Sequence, residues 1–501
     1  MSQEIELKLS LPRKALPALR RHHVFAAAAP QGKPATLENV YYDTPEFALK
    51  THRIALRTRR QGRDWLQTVK CASESAGGLT RRPEWEQAYD GSFDFSAIDA
   101  PKVRKLLARH APALGPVFST RFRRETRLHE AESGARILMM IDTGEILAGD
   151  HREPICELEL ELVEGKPLDL LLLACRLVAD VPLLPNDLSK AERGFRLHRG
   201  EPLEPMRSEG SLIEPGQTPV DAFRSLALSC LRQWQANATG AAASDDPEFI
   251  HQLRVSLRRL RSLLRVVAPA LPPDFVADWS ERLRQNAGHF GDARDLDVLY
   301  EEVVAPVVAA GANADPSIVR LIAIVRDARD AARLAGARNL DPAEQGRLLI
   351  GFTAALHALP TNDLIGAADL RKFARLQLAR LRRRVRRRHE AASDLVPTRL
   401  HALRIALKRL RYGIEFFLPL MPAKAANRYL QAVVRSQNAL GFVNDVDVAR
   451  GRLRHWAADD ADLRAAASFI CGWHGPRYAR LSRRALRDLE PLLWGKTPWG
   501  A

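Results

Sequence analysis

The chain is poor in cysteine and in aromatic residues, and it lacks any long apolar run. Only five of its 501 residues are cysteine. Cys71, Cys156, Cys175, Cys230 and Cys471 are scattered, odd in number and free of any Cys-x-x-Cys pair. That excludes a disulfide framework and a thiolate zinc site, and it places the expected location in the reducing cytoplasm. Aromatics make up 6% of the residues, and no basic strand carries the interleaved Phe or Tyr of a base-stacking platform. Nucleic acid is therefore disfavoured as a partner. The most apolar stretch, 168–184, is broken by Asp169, Arg176 and Asp180; it reads as a buried amphipathic helix, and no membrane span is expected. The first residues are acidic where a secretory signal needs a basic and then an apolar run.

What the chain has in excess is positive charge. Lys and Arg number 76 against 60 Asp and Glu, a net charge of +16. This favours a polyanionic partner, whether nucleic acid, a phosphate polymer or an anionic surface. The length allows two or three domains, each with its own core.

Up to about residue 200, strand patterns dominate. In Glu4-Ile5-Glu6-Leu7-Lys8-Leu9 the period of two puts Glu4, Glu6 and Lys8 on one face and the apolar residues on the other. Cys156 to Val163 repeats the device with Glu157, Glu159 and Glu161. Between them, Arg57 with Arg59, Thr68 with Lys70, Glu84 with Glu86, and Arg121 with Arg123 alternate likewise, and Arg136 to Asp142 precedes a turn at Gly144. About eight strands with hairpin spacing imply an antiparallel sheet that closes around its charges. Carboxylates on neighbouring strands repel unless cations lie between them, so acidic and basic strands in one barrel suit metal ions and phosphates. Trp65 and Trp85, at alternating strand positions, read as packing residues.

Glu4-x-Glu6-x-Lys8, the Tyr41-Tyr42-Asp43-Thr44 turn, Leu56-Arg57, Lys70, Glu84-x-Glu86, Asp142, the glutamate strand and Ser189-Lys190-Ala191-Glu192-Arg193-Gly194 resemble, in order, the CYTH or triphosphate tunnel metalloenzyme family. The resemblance implies an eight-stranded antiparallel tunnel that hydrolyses triphosphates with Mg2+ or Mn2+. Bacterial members with this two-domain layout are similar to inorganic triphosphatases, so the resemblance makes tripolyphosphate the expected substrate. The expected catalytic set is Glu4, Glu6, Lys8, Arg57, Arg59 and Lys70. Glu84, Glu86, Arg121, Arg123, Lys190 and Arg193 are expected to bind substrate. Glu4, Glu6, Glu159 and Glu161 are the expected metal ligands, with Asp142 and Glu157 in second rank. The alternatives are a non-catalytic polyphosphate-binding or granule-associated protein, and a triphosphatase acting on thiamine triphosphate or nucleoside triphosphates.

Proline and glycine crowd residues 201–218, a linker, and helical patterns follow. His251-x-x-Arg254-x-x-x-Arg258-x-x-Arg261 returns 150 residues later as His401-x-x-Arg404-x-x-x-Lys408-x-x-Arg411, and Gly291-Asp-Ala-Arg294-Asp295-Leu-Asp297 returns at the same offset as Gly441-Phe-Val-Asn444-Asp445-Val-Asp447. One offset shared by two motifs implies a duplicated helical unit. Each His-x-x-Arg helix should bury its leucines and present a basic stripe. These motifs resemble the CHAD domain, which implies binding of long-chain inorganic polyphosphate through His251, Arg254, Arg258, Arg261, His401, Arg404, Lys408 and Arg411. Lys408 and Asn444, standing for Arg258 and Arg294, imply a weaker grip in the second half, since an ammonium lacks the bidentate fork. Residues 371–388 add ten further bases and no acid. The expected fold is thus α+β: a CYTH tunnel over 1–200, the linker, and an all-α bundle over 219–498 with repeat units of about 219–365 and 366–498.

Overall fold

The computed structural model describes residues 2–71, 75–311, 315–338, 340–360 and 369–500. It forms two compact units, one of residues 1–205 with 341–358, the other of 206–340 with 359–501.

In the first unit eight long strands form one antiparallel sheet. They are β1 (Ser2–Ser10), β2 (Ala35–Asp43), β3 (Ile54–Gln61), β4 (Asp64–Cys71), β5 (Leu79–Ala88), β6 (Gly115–Glu130), β7 (Arg136–Ala148) and β8 (His151–Glu164). Their order is β1-β8-β7-β6-β2-β3-β4-β5, and β5 pairs back onto β1, closing the barrel. The alternation is inside-out. Charged residues of β1 and β8 point inward, while Leu7, Leu9, Leu158 and Leu160 point outward into an apolar core with Ile137, Met139 and Ile141 of β7. Helix α1 (Pro167–Val178) covers that outer face with Leu170, Leu171, Leu173, Ala174 and Leu177. Gly144 does not make the expected turn. It lies within β7, where a side chain would collide with the backbone of Arg121 and Phe122 on β6. The turn falls at Gly149, with φ +57°.

A second helix completes this outer layer, and it comes from far along the chain. Pro342–Ala358 belongs to the first unit and contributes Ile350 and Ala354 to the apolar core. Gly346 lies so close to the Leu183 carbonyl that no Cβ fits between them.

The second unit is helical. Helix α3 (Pro247–Val267) and α4 (Gly291–Val298) of the first repeat have counterparts 150 residues on in α6 (Pro397–Phe417) and within α7 (Ala423–Trp456), with α5 (Leu370–Ala391) preceding α6. Leu253, Leu257, Leu260 and Leu264 of α3 are fully buried, so the basic stripe is on the opposite side of that helix. The expected boundary between repeat units at 365 lies outside the described residues. No helix among the described residues is long and apolar enough to cross a membrane.

The 342–358 helix yields a test. Ile350→Asp places a carboxylate where the side chain is wholly buried, and should destabilise the barrel unit by at least ~3 kcal/mol. Denaturant unfolding followed by hydrogen exchange in β1, β7 and β8 reads this out; unchanged protection would show that the helix does not support the barrel.

Candidate active site

The barrel encloses a cavity of about 670 Å³. Its walls follow from strand register. Glu6 of β1 stands opposite Glu161 of β8, and Lys8 opposite Glu159. On the other side of β1, Glu4 faces Arg82 of β5. Lys70 of β4 faces Glu84, and Thr68 faces Glu86. Across the barrel, β3 contributes Arg57 and Arg59, and β2 sets Tyr41 opposite Arg57. Glu4, Glu6, Lys8, Arg57, Arg59, Lys70, Glu84, Glu86, Glu159, Glu161 and Lys190 all line this one cavity.

Cations hold most of the acids. Lys70 donates to both Glu4 oxygens at 2.9 Å, and Arg82 bridges Glu4 at 2.9 Å and Glu6 at 2.7 Å. Burial opposes ionisation of Glu4, but Lys70 and Arg82 outweigh it and hold the carboxyl well below its usual range. Lys8 lies 3.1 Å from Glu6. Burial disfavours its charge, and Glu6 together with Glu159 and Glu157 more than restores it, so its pKa is raised. Glu161 is the exception. It has no hydrogen bond or ion pair within the described residues, and burial together with Glu4 pushes its pKa from 4.5 up to about 7.

Asp142, Glu157 and Glu159 bring their oxygens within 4.8 Å of one another, a spacing suited to a cation. The cation there is the Lys190 ammonium, presented by the first residue of helix α2 (Lys190–His198). It donates to Asp142 at 2.8 Å, to Glu159 at 3.0 Å and to Glu157. Arg124 closes the cluster with bonds to Asp142 at 2.6 and 2.7 Å and to Glu159 at 2.5 Å. Asp142 and Glu157, expected as second-rank metal ligands, thus hold Lys190, and Lys190 is committed to carboxylates before any phosphate arrives.

Three other expected residues lie elsewhere. Arg121 is two-thirds exposed on the outer face and pairs with Glu38 at 3.3 Å. Arg123 shares its outward parity. On β6 the inward set is Thr120, Phe122 and Arg124, so the expected basic pair is out of phase by one residue. Arg193 of α2 does not line the cavity; it bonds Glu153 at 2.7 Å, the Pro154 carbonyl at 2.6 Å and, from behind the acidic cluster, Glu157 at 3.3 Å. Conversely, Arg82, Arg124 and Tyr41 enter the cavity without having been anticipated. Arg82 was legible, two residues before Glu84 on the same face.

Arg57 and Arg59 form a guanidinium wall whose acids stand at the limit of ion-pair distance, Glu84 at 4.0 Å from Arg57 and Glu86 at 3.9 Å from Arg59. Arg57 Nε is buried without a hydrogen-bond partner. Arg59 is pushed down to about 10, first by burial and then by Arg57 and Arg124. A buried guanidinium whose charge is depressed by its neighbours gains from an anion beside it.

In the second unit, Arg254 stands 3.7 Å from Asp295, and its counterpart Arg404 4.0 Å from Asp445. Arg258 reaches from α3 to the Tyr412 hydroxyl of α6 at 2.7 Å, so the two basic helices adjoin. Burial, then Arg258 and Arg404, push Lys408 down to about 7. His401 Nδ1 bonds Asn444 Oδ1, whereas His251 Nδ1 is buried without a partner. Arg411 is held by Glu415 at 2.7 Å. Arg261, with its Nε buried and unpartnered, lies among Arg284 and Arg409.

Residues 2–195 match the family model of the CYTH domain and residues 225–454 that of the CHAD domain. The chain is a CYTH domain followed by a CHAD domain. It is 30% identical over 204 residues to an inorganic triphosphatase of Haemophilus influenzae, a match covering 39% of this chain and 55% of that protein, so the chain spans little more than half of that relative. An uncharacterised protein of Mycobacterium tuberculosis is 26% identical over 496 residues, covering 92% of this chain and 90% of that one. The crystal structure of the CHAD domain from the plant Ricinus communis matches 59% of this chain and 98% of its own, with 27% identity and a TM-score of 0.51.

The lone Glu161 sets a pH dependence. With its pKa raised on folding, the native state binds more protons than the unfolded chain between about 4.5 and 7, so its contribution to stability falls as pH rises through that window. In metal-free protein, Glu161→Gln should flatten this part of the stability–pH curve. An identical slope in the variant would reject the assignment.

Proposed function

We propose that the barrel hydrolyses inorganic triphosphate to pyrophosphate and phosphate with a bound Mg2+ or Mn2+, and that the helical unit binds long-chain polyphosphate. One observation carries the first part: carboxylates of β1 and β8, including the unpartnered Glu161, confront Arg57 and the charge-depressed Arg59 across one cavity. An anion site alone gains nothing from unpaired acids; a site for an anion together with a hard cation requires both.

The chemistry of the donor set fits such a cation. Glu6 and Glu161 lie opposite each other in register with like charge, and carboxylate oxygens suit Mg2+ and Mn2+. Glu4, Glu6, Glu159 and Glu161 would hold the ion. When bound, it supplies positive charge to phosphate oxygens and lowers the pKa of a water. The rest falls to this chain's own residues. Arg57 and Arg59 bind the phosphate oxygens and stabilise the negative charge that builds on them during in-line displacement. Lys8 and Lys70, held by Glu6 and by Glu4 with Glu84, fix the acids in place and contribute charge to the same oxygens. Lys190 and Arg124 position Glu159. The closed barrel limits water around these charges and so strengthens them. The name of the Haemophilus influenzae relative supports the inorganic substrate.

Glu6→Gln should lower metal-dependent phosphate release from tripolyphosphate by at least ~10²-fold, the scale of losing a positioned charged group. Wild-type assays against ATP, thiamine triphosphate and tripolyphosphate, each with Mg2+, Mn2+ or EDTA, establish the substrate. Near-normal turnover in folded Glu6→Gln protein, or release insensitive to EDTA, would overturn this reading.

In the second unit the paired basic helices and the Arg-rich α5 present the anion-binding surface. Lys408 faces Arg258, Arg404, Arg411 and Asp445, and its charge is lost as pH rises through about 7. Polyphosphate binding should therefore weaken across neutrality, and Lys408→Arg should flatten that profile. Arg254→Glu with Arg404→Glu should abolish retention on immobilised polyphosphate; retained binding would reject this face.

A further inference from the structure

Two cations that line the barrel cavity have no acid to hold them. Lys50 and Arg53 both border it, and neither has an ion pair within the described residues. Lys50 lies over the Phe195 ring, 5.5 Å from its centroid. Arg53 is exposed although it lines the cavity, so it marks where the cavity reaches solvent.

The local backbone is built to present them. Asp43 at the end of β2 is buried, and its carboxylate accepts bonds from three backbone amides: Thr44 at 2.7 Å, Leu49 at 2.8 Å and Lys50 at 2.9 Å. This rivets the turn that leads to Lys50 and Arg53. The turn is bracketed by two non-glycine residues in the left-handed region, Phe47 at φ +57° and Arg53 at φ +59°. Glycine would adopt that conformation without strain, and such strained positions persist where the surroundings over-determine them, commonly at ligand sites. Arg53 also closes the short helix Ala48–Thr51, its N–H donating to the Lys50 carbonyl at 2.9 Å, so the turn fixes where its side chain starts.

Arg53 also continues a row. Ala55, Arg57 and Arg59 of β3 line the cavity at alternate positions, and Arg53 is the next odd residue before the strand. From Arg57 to Ile54 the chain covers about 10 Å at strand rise, already further than three linked phosphates extend, and Arg53 lies one residue beyond. A triphosphate held at Arg57 and Arg59 would leave Lys50 and Arg53 without a ligand.

We infer that Lys50 and Arg53 form a rim subsite for the next phosphate of a longer linear inorganic polyphosphate, so that the barrel takes chain ends of four or more phosphates. This rests on the proposed triphosphatase reading, which it extends from one substrate to a chain-length class.

The test uses full-length protein carrying Lys50→Ala and Arg53→Gly; the glycine relieves the backbone and keeps the turn. Steady-state kcat/KM is measured for tripolyphosphate and for linear tetraphosphate. The ratio of tetraphosphate to triphosphate kcat/KM should fall about tenfold in the variant, the scale of losing a charge-assisted hydrogen bond. An unchanged ratio, even if both rates decline together, overturns the subsite. Calorimetry without metal, comparing variant and parent in the Arg254→Glu, Arg404→Glu background, separates the two readings, because the difference cancels whatever the second unit binds. Loss of the parent's preference for tetraphosphate upholds the subsite even if no substrate is turned over, an outcome that would sink only the triphosphatase reading. Equal affinities for the two phosphates in the parent overturn the subsite.

Discussion

Burying many carboxylates in one barrel is feasible only because a cation lies between nearly every pair. The Lys190 ammonium, shared among Asp142, Glu157 and Glu159, is the densest instance. Without it three buried anions would face one another, and leaving a buried charge uncompensated costs about 3–5 kcal/mol. The same interleaving recurs as Arg82 between Glu4 and Glu6 and as Lys70 between Glu4 and Glu84. Glu161 stands outside the pattern: burial first, and then the Glu4 carboxylate, raise its pKa, and no cation pairs with it closely enough to offset them.

An interior of this kind dictates what lies outside. Because strand side chains alternate, charges turned inward force the leucines and isoleucines of β1, β7 and β8 outward. Those residues must be covered, and α1 together with the 342–358 helix covers them. The second of these arrives from between the two halves of the helical repeat, with the residues before and after it belonging to the other unit. The outer layer of the barrel is thus completed by a segment on which the strand-forming sequence gives no hint.

Periodicity made the barrel legible, and the CYTH motifs made its cavity residues legible one strand at a time. Where it failed, the reason was phase. Between Phe118 and Arg124 both parities carry arginine, and the sequence alone does not say whether Arg121 and Arg123 or Arg124 faces in; Phe122, under the Lys190 ammonium at 4.9 Å, settles it. Arg193 failed for another reason. Three residues on from Lys190 it shares that helix face and reaches Glu157 too, but Glu153 and the Pro154 carbonyl also claim it, and it does not line the cavity. The 342–358 helix reads as any other amphipathic segment, since a packing partner some 170 residues away leaves no local mark.

The two units answer the same electrostatic problem in opposite ways. In the barrel, acids nearly match bases, and the match is weakest at Arg59 and Glu161. In the helical unit bases prevail outright, and what restrains them is partial neutralisation by Asp295 and Asp445 and the depressed protonation of Lys408. A polyanion on that surface would relieve repulsion already present in the free protein and would draw a proton onto Lys408. Such binding would be favoured by charge density more than by shape, as a polymer of indefinite length requires. The barrel, with its fixed register of carboxylates and guanidinium groups, suits the end of a chain.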